Sequence, residues 1–218
     1  MRLALFDLDN TLLAGDSDFE WAQYLIAQGV LDREVYEARN QAFYDQYKAG
    51  TLDIFEFLDF QLKPLARHPR VQLEAWHRDF MACKVIPMVA PGSAALLQQH
   101  EGDVRVIITA TNRFVTAPIA RHLGVAHLIA TEPEERDGEF TGRVAGIPSF
   151  KAGKVTRLEQ WLAVQGKAWA DVTHSWFYSD SLNDLPLLER VHEPVAVDPD
   201  PTLRAHAVAH GWPVISLR

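Results

Sequence analysis

The sequence predicts an α/β protein built on a doubly wound parallel sheet, and three observations support this prediction. The run Ala4-Leu5-Phe6 is typical of an apolar strand near the start of the chain. From Pro87 onward, short apolar runs typical of strands alternate with segments whose apolar residues recur at helical spacing. A further block, before Pro87, shows helical spacing alone. Strands that alternate with helices in this way favour a parallel sheet covered by helices.

Composition limits the class of protein. The chain has 218 residues, 48% of them hydrophobic, with a net charge of -8, which indicates a folded globular protein and argues against a nucleic-acid surface. The single cysteine, Cys83, excludes an intrachain disulfide. The short N-terminal run does not resemble a signal peptide, and no apolar stretch is long enough to cross a membrane. We expect a cytoplasmic monomer or homodimer with no membrane or nucleic-acid partner.

The residues between Asp16 and Cys83 predict four helices. The first ends at Gly29, Asp32 and Asp53 are predicted to cap the second and third, and the fourth follows Pro69. We expect this block, residues 15–84, to be a small helical domain inserted into a core made of residues 1–14 and 85–218.

The core residues predict the remaining elements in order. Strands are expected at 104–109, 127–130, 175–178, 194–197 and 214–216, with a small hairpin at 138–144. Helices are expected at 92–97, 117–123, 154–162, 185–191 and 201–210.

Asp7 and Asp9 are the first indication of a functional site. They follow the N-terminal strand and are two positions apart, so in an extended chain both side chains point to the same face. Carboxylates held this close repel each other unless a cation lies between them. The pair therefore predicts a metal site, although a solvated acidic turn is the alternative reading of these residues alone.

Three further polar groups follow predicted strands or begin a predicted helix. Thr109 and Ala110 follow one strand, Asp180 with Asn183 and Asp184 follow another, and Lys154 lies at a helix start. In open α/β sheets, ligands bind beyond the carboxyl ends of the strands. We therefore expect these groups to converge with Asp7 and Asp9 at one edge of the sheet.

This set of motifs resembles the haloacid dehalogenase (HAD) superfamily of phosphohydrolases, along the whole chain. The matching residues are Asp7-Leu8-Asp9-Asn10-Thr11, Ile107-Ile108-Thr109, Lys154, and Asp180-Ser181-Leu182-Asn183-Asp184. The helical insert after the first strand is similar to the C1 cap of subfamily IB, the phosphoserine-phosphatase-like branch.

The resemblance implies a Mg²⁺-dependent phosphatase that forms an aspartyl-phosphate. It assigns Asp7 as the nucleophile and Asp9 as the general acid and base. The resemblance also places Mg²⁺ on the Asp7 and Asp180 carboxylates and the Asp9 backbone carbonyl, with Asp184 orienting its waters. Thr109, Ala110, Lys154 and Asn183 would bind the phosphoryl group.

Two positions depart from the pattern of that branch. Ala110 stands where the branch usually has glycine, and Asp16 stands where it has a glutamate that contacts the substrate's amine. Asp16 predicts a small amine-bearing substrate such as phosphoserine or histidinol phosphate. Lys151 is an alternative to Lys154 as the phosphate-binding lysine.

Other functions remain open from the sequence. A phosphotransferase of the same fold would share every motif. A dehalogenase would use the same nucleophile without Mg²⁺, and a non-catalytic phosphate-binding module is a further alternative.

Overall fold

The computed structural model describes all residues, 1–218, and contains one seven-stranded sheet. Its strand order is β4-β3-β2-β1-β5-β6-β7, and every neighbouring pair is parallel except β3 and β4. The strands are Arg2–Phe6 (β1), Val104–Asn112 (β2), His127–Arg136 (β3), Glu139–Ala145 (β4), His174–Ser179 (β5), Glu193–Val197 (β6) and Val214–Ile215 (β7). The predicted doubly wound α/β fold is confirmed.

Ten helices connect the strands. They are Ser17–Ala27 (α1), Arg33–Lys48 (α2), Ile54–Leu62 (α3), Arg70–Phe80 (α4), Ile86–Met88 (α5), Ser93–Gln99 (α6), Arg113–His122 (α7), Ala152–Val164 (α8), Leu185–Leu188 (α9) and Pro201–His210 (α10). Short irregular helical turns lie between several of them. No helix is both long and apolar enough to span a lipid bilayer.

Strand β1 is at the centre of the sheet because its side chains are apolar on both faces. Ala4 and Phe6 enter a core that includes helices α1, α3, α4, α6 and α7. Leu3 and Leu5 enter the opposite core, which is covered by α8, α9 and α10. Residues two apart in a strand share a face, so one five-residue strand joins both layers.

The predicted caps of α2 and α3 are present. The carboxylate of Asp32 accepts a hydrogen bond from Val35 N (2.9 Å), and that of Asp53 accepts from Phe55 N (2.9 Å). Each cap satisfies amide donors that would have no partner inside the helix.

Four core elements differ from their predictions by three or more residues at one end. α7 begins at Arg113 rather than 117, because the Asn112 side chain caps it by accepting a hydrogen bond from Val115 N. β2 continues to Asn112 because the chain stays paired with β3 beyond an irregularity after Ile108. β3 continues to Arg136 because its second half pairs with β4, which extends the predicted hairpin. α9 ends at Leu188 rather than 191, where the chain turns into β6.

The inserted helices pack against the core helix α7 through aromatic side chains. The Trp21 ring meets those of Phe80 and Phe114 edge to face, at centroid distances of 5.2 and 5.8 Å. His77 is buried in α4. Its Nε2 atom lies 2.8 Å from the backbone carbonyl oxygen of Val115 in α7. These contacts join the helical segment to the core helix α7, while the division of the chain into two domains stays a prediction.

We expect His77 to make the protein less stable in mild acid. Burial lowers the pKa of His77 below its ordinary 6.5, so the folded protein keeps the ring neutral. The unfolded chain takes up a proton below pH 6.5, and stability is therefore lost as the pH falls below that value. Between pH 7.5 and 5.5, the His77→Gln variant should lose roughly 1 kcal/mol less unfolding free energy than the parent protein. Equal losses in urea titrations would contradict this expectation.

Candidate active site

The carboxyl ends of β1, β2 and β5 lie side by side, because β1 pairs with both other strands. Asp7 follows β1 directly, and Asp180 follows β5. Thr109 lies in the last part of β2, in the segment that the structure shows to be extended. The topology therefore brings three of the predicted groups to one edge of the sheet.

Lys154 links two buried carboxylates at this edge. Its Nζ lies 2.7 Å from Asp7 Oδ1 and 2.7 Å from Asp184 Oδ2. Although burial alone lowers the pKa of Lys154, the charges of Asp184 and Asp7 raise it above its usual range. Lys154 is therefore a fixed cation next to Asp7. Lys151 instead donates from Nζ to the backbone carbonyl of Gly50 (2.8 Å).

Gly153 determines where helix α8 begins. A Cβ atom at this position would collide with the backbone carbonyl of Pro148. The close approach of the two backbone segments is possible because glycine has no side chain. It fixes the first turn of α8 and so the position of Lys154.

Thr11 is a site residue to which the sequence reasoning gave no role. Its Oγ1 lies 3.2 Å from Asp7 Oδ2 and 3.2 Å from Asp180 Oδ1, and it accepts a hydrogen bond from Asp180 N (3.1 Å). The hydroxyl has one proton and can donate to one carboxylate at a time. Its position, four residues after Asp7, was the available signal.

Asp9 is held by the chain on the other side of the site. It accepts hydrogen bonds from Ser17 N (2.6 Å) and from the Thr111 hydroxyl (2.7 Å), and the Thr109 hydroxyl lies at 3.5 Å. Burial and the nearby charge of Asp16 raise the pKa of Asp9 to about 6, against the effect of these hydrogen bonds. The Thr111 hydroxyl, to which the sequence reasoning gave no role, orients this carboxylate.

Asn183 and Asp16 have partners within the protein. Asn183 Nδ2 donates to the backbone carbonyl of Tyr47 (2.9 Å), which connects the core to the end of α2. The Asp16 carboxylate accepts from Asp18 N (2.9 Å) and Phe19 N (3.0 Å), so it caps helix α1. The structure therefore shows no direct contact of either side chain with Asp7.

A cavity of about 60 Å³ lies between the sheet edge and helices α1, α2 and α3. Asp7, Asp9, Thr109 and Ala110 line it on the sheet side. The cavity has room for several water molecules but is smaller than a phosphorylated metabolite.

Residues 4–189 match the family described as haloacid dehalogenase-like hydrolase. The chain belongs to this family. It is 47% identical to a histidinol-phosphatase of Neisseria meningitidis serogroup C (strain 8013), over 100% of this chain and 99% of that protein. It is 30% identical to phosphoserine phosphatase SerB1 of Mycobacterium tuberculosis (strain ATCC 25618 / H37Rv), over 99% and 70% of the two chains. The family and these relatives make the chain an enzyme of the phosphatase type.

Solved structures agree with the HAD-like fold. A Bordetella pertussis Tohama I protein of unknown function superposes with a TM-score of 0.93 at 49% identity, covering 100% of this chain and 99% of that one. An aspartyl-phosphate analogue of phosphoserine phosphatase superposes with a TM-score of 0.69 at 18% identity, covering 100% and 93%. The second likeness supports the fold alone.

The charges of this HAD-like site fit a divalent cation. Burial and the repulsion from Asp184 raise the pKa of Asp7 to about 7 despite the attraction of Lys154, and burial raises that of Asp180 well above its usual range. No three Asp, Glu, His or Cys side chains are arranged to hold a metal by themselves. A ligand set of two carboxylates, one backbone carbonyl and water molecules needs no third acidic, histidine or cysteine side chain. Oxygen ligands of this kind suit Mg²⁺.

Proposed function

We propose that this protein is a Mg²⁺-dependent phosphatase that hydrolyses a small amine-bearing phosphate ester through an aspartyl-phosphate on Asp7. The observation that supports it is the position of Asp7, with one oxygen on Lys154 and the other beside Thr11 and Asp180. A buried carboxylate next to a fixed cation is placed to attack phosphorus while the charge of the phosphoryl group is neutralised.

In the first step, Asp7 attacks the phosphorus and the ester oxygen leaves. Asp9 gives that oxygen a proton, and a carboxyl whose pKa is raised to about 6 carries one in part of the molecules near neutral pH. Lys154 and the Thr109 hydroxyl hold the phosphoryl oxygens. Asp7, Asp180 and the Asp9 carbonyl would hold Mg²⁺, which would supply further charge neutralisation.

In the second step, Asp9, now a carboxylate, takes a proton from water, which attacks the phosphoryl group and frees Asp7. The hydrogen bonds from Ser17 N and the Thr111 hydroxyl keep the Asp9 carboxylate in place between the two steps. Asp184 holds Lys154, and it would orient waters near a bound cation.

Substrate entry requires the turn between α2 and α3 to move, because the cavity is smaller than the substrate. That turn is held to the core by the Lys151 contact with Gly50 and the Asn183 contact with Tyr47. Tyr47 and Leu52 also pack on Phe150, so opening the cavity would require this apolar contact to separate together with the two hydrogen bonds. Closure over the bound ester would then exclude water from the first step.

Histidinol phosphate and phosphoserine are the candidate substrates, since the relatives carry these two activities in their names. Both are small esters with an ammonium group. The test is phosphate release from a set of phosphate esters with Mg²⁺ and with EDTA. We expect metal-dependent release without any added alcohol acceptor. Release that requires an acceptor would favour a phosphotransferase, and equal turnover in EDTA would contradict the proposal.

We expect Asp9→Asn to accumulate phosphoenzyme. The amide can neither give a proton to the ester oxygen nor take one from water. With p-nitrophenyl phosphate, whose phenolate leaves without a proton, the second step should be slowed more than the first, by roughly 100-fold or more. Acid-quenched protein from a reaction with labelled substrate should carry close to one phosphoryl group per chain. A variant that turns over at the parent rate and carries no label would contradict the role of Asp9.

A further inference from the structure

The far wall of the cavity is built for a flat, partly apolar group. Aromatic side chains from α1, α2, α3 and the segment before α8 line it, namely Phe19, Phe43, Tyr44, Phe57 and Phe150. Phe43 and Phe57 meet edge to face at a centroid distance of 5.4 Å, so the wall is packed before any ligand arrives. Such surfaces bind planar rings through stacking and edge contacts.

Asn40, one of the residues that line the cavity, has an unused donor. The side chain is 2% exposed, and its Oδ1 accepts a hydrogen bond from Gln61 Nε2 (3.1 Å). Its Nδ2 is buried without any hydrogen-bond partner, although both residues line the cavity. Buried polar groups are nearly always paired, so an unpaired amide in a cavity wall indicates that a ligand atom accepts from it.

Asp18 brings a carboxylate to the same cavity without a cation to balance it. The residue is 6% exposed, forms no ion pair, and has one long contact, with Asn112 Nδ2 at 3.5 Å. Asp16 lines the cavity nearby but is occupied in capping α1. A buried carboxylate without a counter-ion favours a cationic ligand group.

No lysine, arginine or histidine lines this cavity. A carboxylate on the substrate would therefore lie among the acidic residues with no positive side chain to pair with. Repulsion between the substrate carboxylate and the acidic side chains of the cavity disfavours binding. The same side chains that attract a cationic substrate therefore reject a substrate with a carboxylate.

We infer that the site selects phosphate esters that carry an ammonium group and a flat nitrogen heterocycle and have no carboxylate. Asp18 binds the ammonium group, and Asn40 Nδ2 donates to an acceptor nitrogen of the ring, which lies against the aromatic wall. This inference rests on the proposed phosphatase function and separates its two candidate substrates. Histidinol phosphate has all of these features, whereas phosphoserine has a carboxylate and no ring.

The first test compares esters on the full-length parent protein with Mg²⁺. The probes are histidinol phosphate, phosphoethanolamine, phosphoserine and p-nitrophenyl phosphate. We expect kcat/KM to be highest for histidinol phosphate, lower for phosphoethanolamine, which has the ammonium group alone, and lowest among the three amines for phosphoserine. A preference for phosphoserine over phosphoethanolamine would overturn the inference.

The second test compares two variants, Asp18→Asn and Asn40→Leu, with Asp45→Asn as the matched control. Asp45 is an exposed carboxylate on α2, outside the cavity. Asp18→Asn and Asn40→Leu should each lower the ratio of kcat/KM for histidinol phosphate to that for p-nitrophenyl phosphate by roughly 10- to 100-fold. The effect should appear mainly in KM, and Asp45→Asn should leave the ratio as it is.

The two proposals fail in different ways. If the parent protein hydrolyses p-nitrophenyl phosphate but both variants keep the parent ratio, the specificity inference is wrong and the phosphatase proposal stands. If the parent protein hydrolyses no phosphate ester with Mg²⁺, the proposed function is wrong and the inference fails with it. Asp18→Asn leaves the side-chain volume nearly unchanged and should fold. This variant therefore remains informative if Asn40→Leu does not fold.

Discussion

Asp7→Asn is expected to reduce kcat by at least about 10⁴-fold, because an amide oxygen is a poor nucleophile and no neighbouring carboxylate is placed to replace it. The variant should fold as well as the parent protein, since burial and the repulsion from Asp184 make the Asp7 charge unfavourable in the folded state, as its pKa of about 7 indicates. The measurement is phosphate release at saturating substrate, together with the thermal midpoint.

Asp137→Asn is the matched control for this substitution. Asp137 is exposed at the β3–β4 turn, where its φ of 53° is one that asparagine tolerates. It should keep parent activity. An Asp7→Asn enzyme with a substantial share of parent turnover would exclude covalent catalysis by this residue.

Lys154→Met is expected to impair both activity and stability. The methionine leaves the Asp7 and Asp184 carboxylates buried without the cation that lies 2.7 Å from each. Loss of one partner from a buried charge cluster costs about 3–5 kcal/mol of unfolding free energy, and Mg²⁺ should restore part of it. The loss of a charge that binds the phosphoryl group should lower kcat/KM by roughly 10³-fold.

Lys151→Met tests the alternative that Lys151, rather than Lys154, binds the phosphoryl group. Lys151 donates to Gly50 and makes no contact with Asp7, so its replacement should leave kcat/KM within about tenfold of the parent. Denaturant titration and ester hydrolysis on both variants check the pair. A larger loss in Lys151→Met than in Lys154→Met would reverse the assignment of the phosphate-binding lysine.

The fold, and the site residues that the strands position, could be predicted from the sequence because they depend on local patterns. Apolar runs define strands that are buried on both faces, and the polar residues that follow them must lie at the carboxyl edge of a parallel sheet. The spacing of Asp7 and Asp9 is visible without any structure. The caps at Asp32 and Asp53 were likewise readable from residue type and position.

The site residues that depend on helix packing could not be predicted from the sequence in the same way. Asn40 and Gln61 lie on different helices, and their pairing depends on which face of α2 and α3 meets the sheet. Asp18 resembles any acidic residue in the first turn of a helix until its burial is known. Thr111 orients Asp9 because β2 continues beyond its apolar run, which the local sequence does not indicate.

Reductive trapping with borohydride tests the central claim most directly, because it reports where the phosphoryl group is attached during turnover. The parent protein is mixed with Mg²⁺ and histidinol phosphate, quenched, reduced and digested with trypsin, and the peptide spanning residues 3–33 is fragmented. An aspartyl-phosphate at Asp7 predicts homoserine at position 7 and unmodified aspartate at Asp9, Asp16 and Asp18. Reduction at another residue, or unmodified Asp7 in an enzyme that is turning over, would contradict the account.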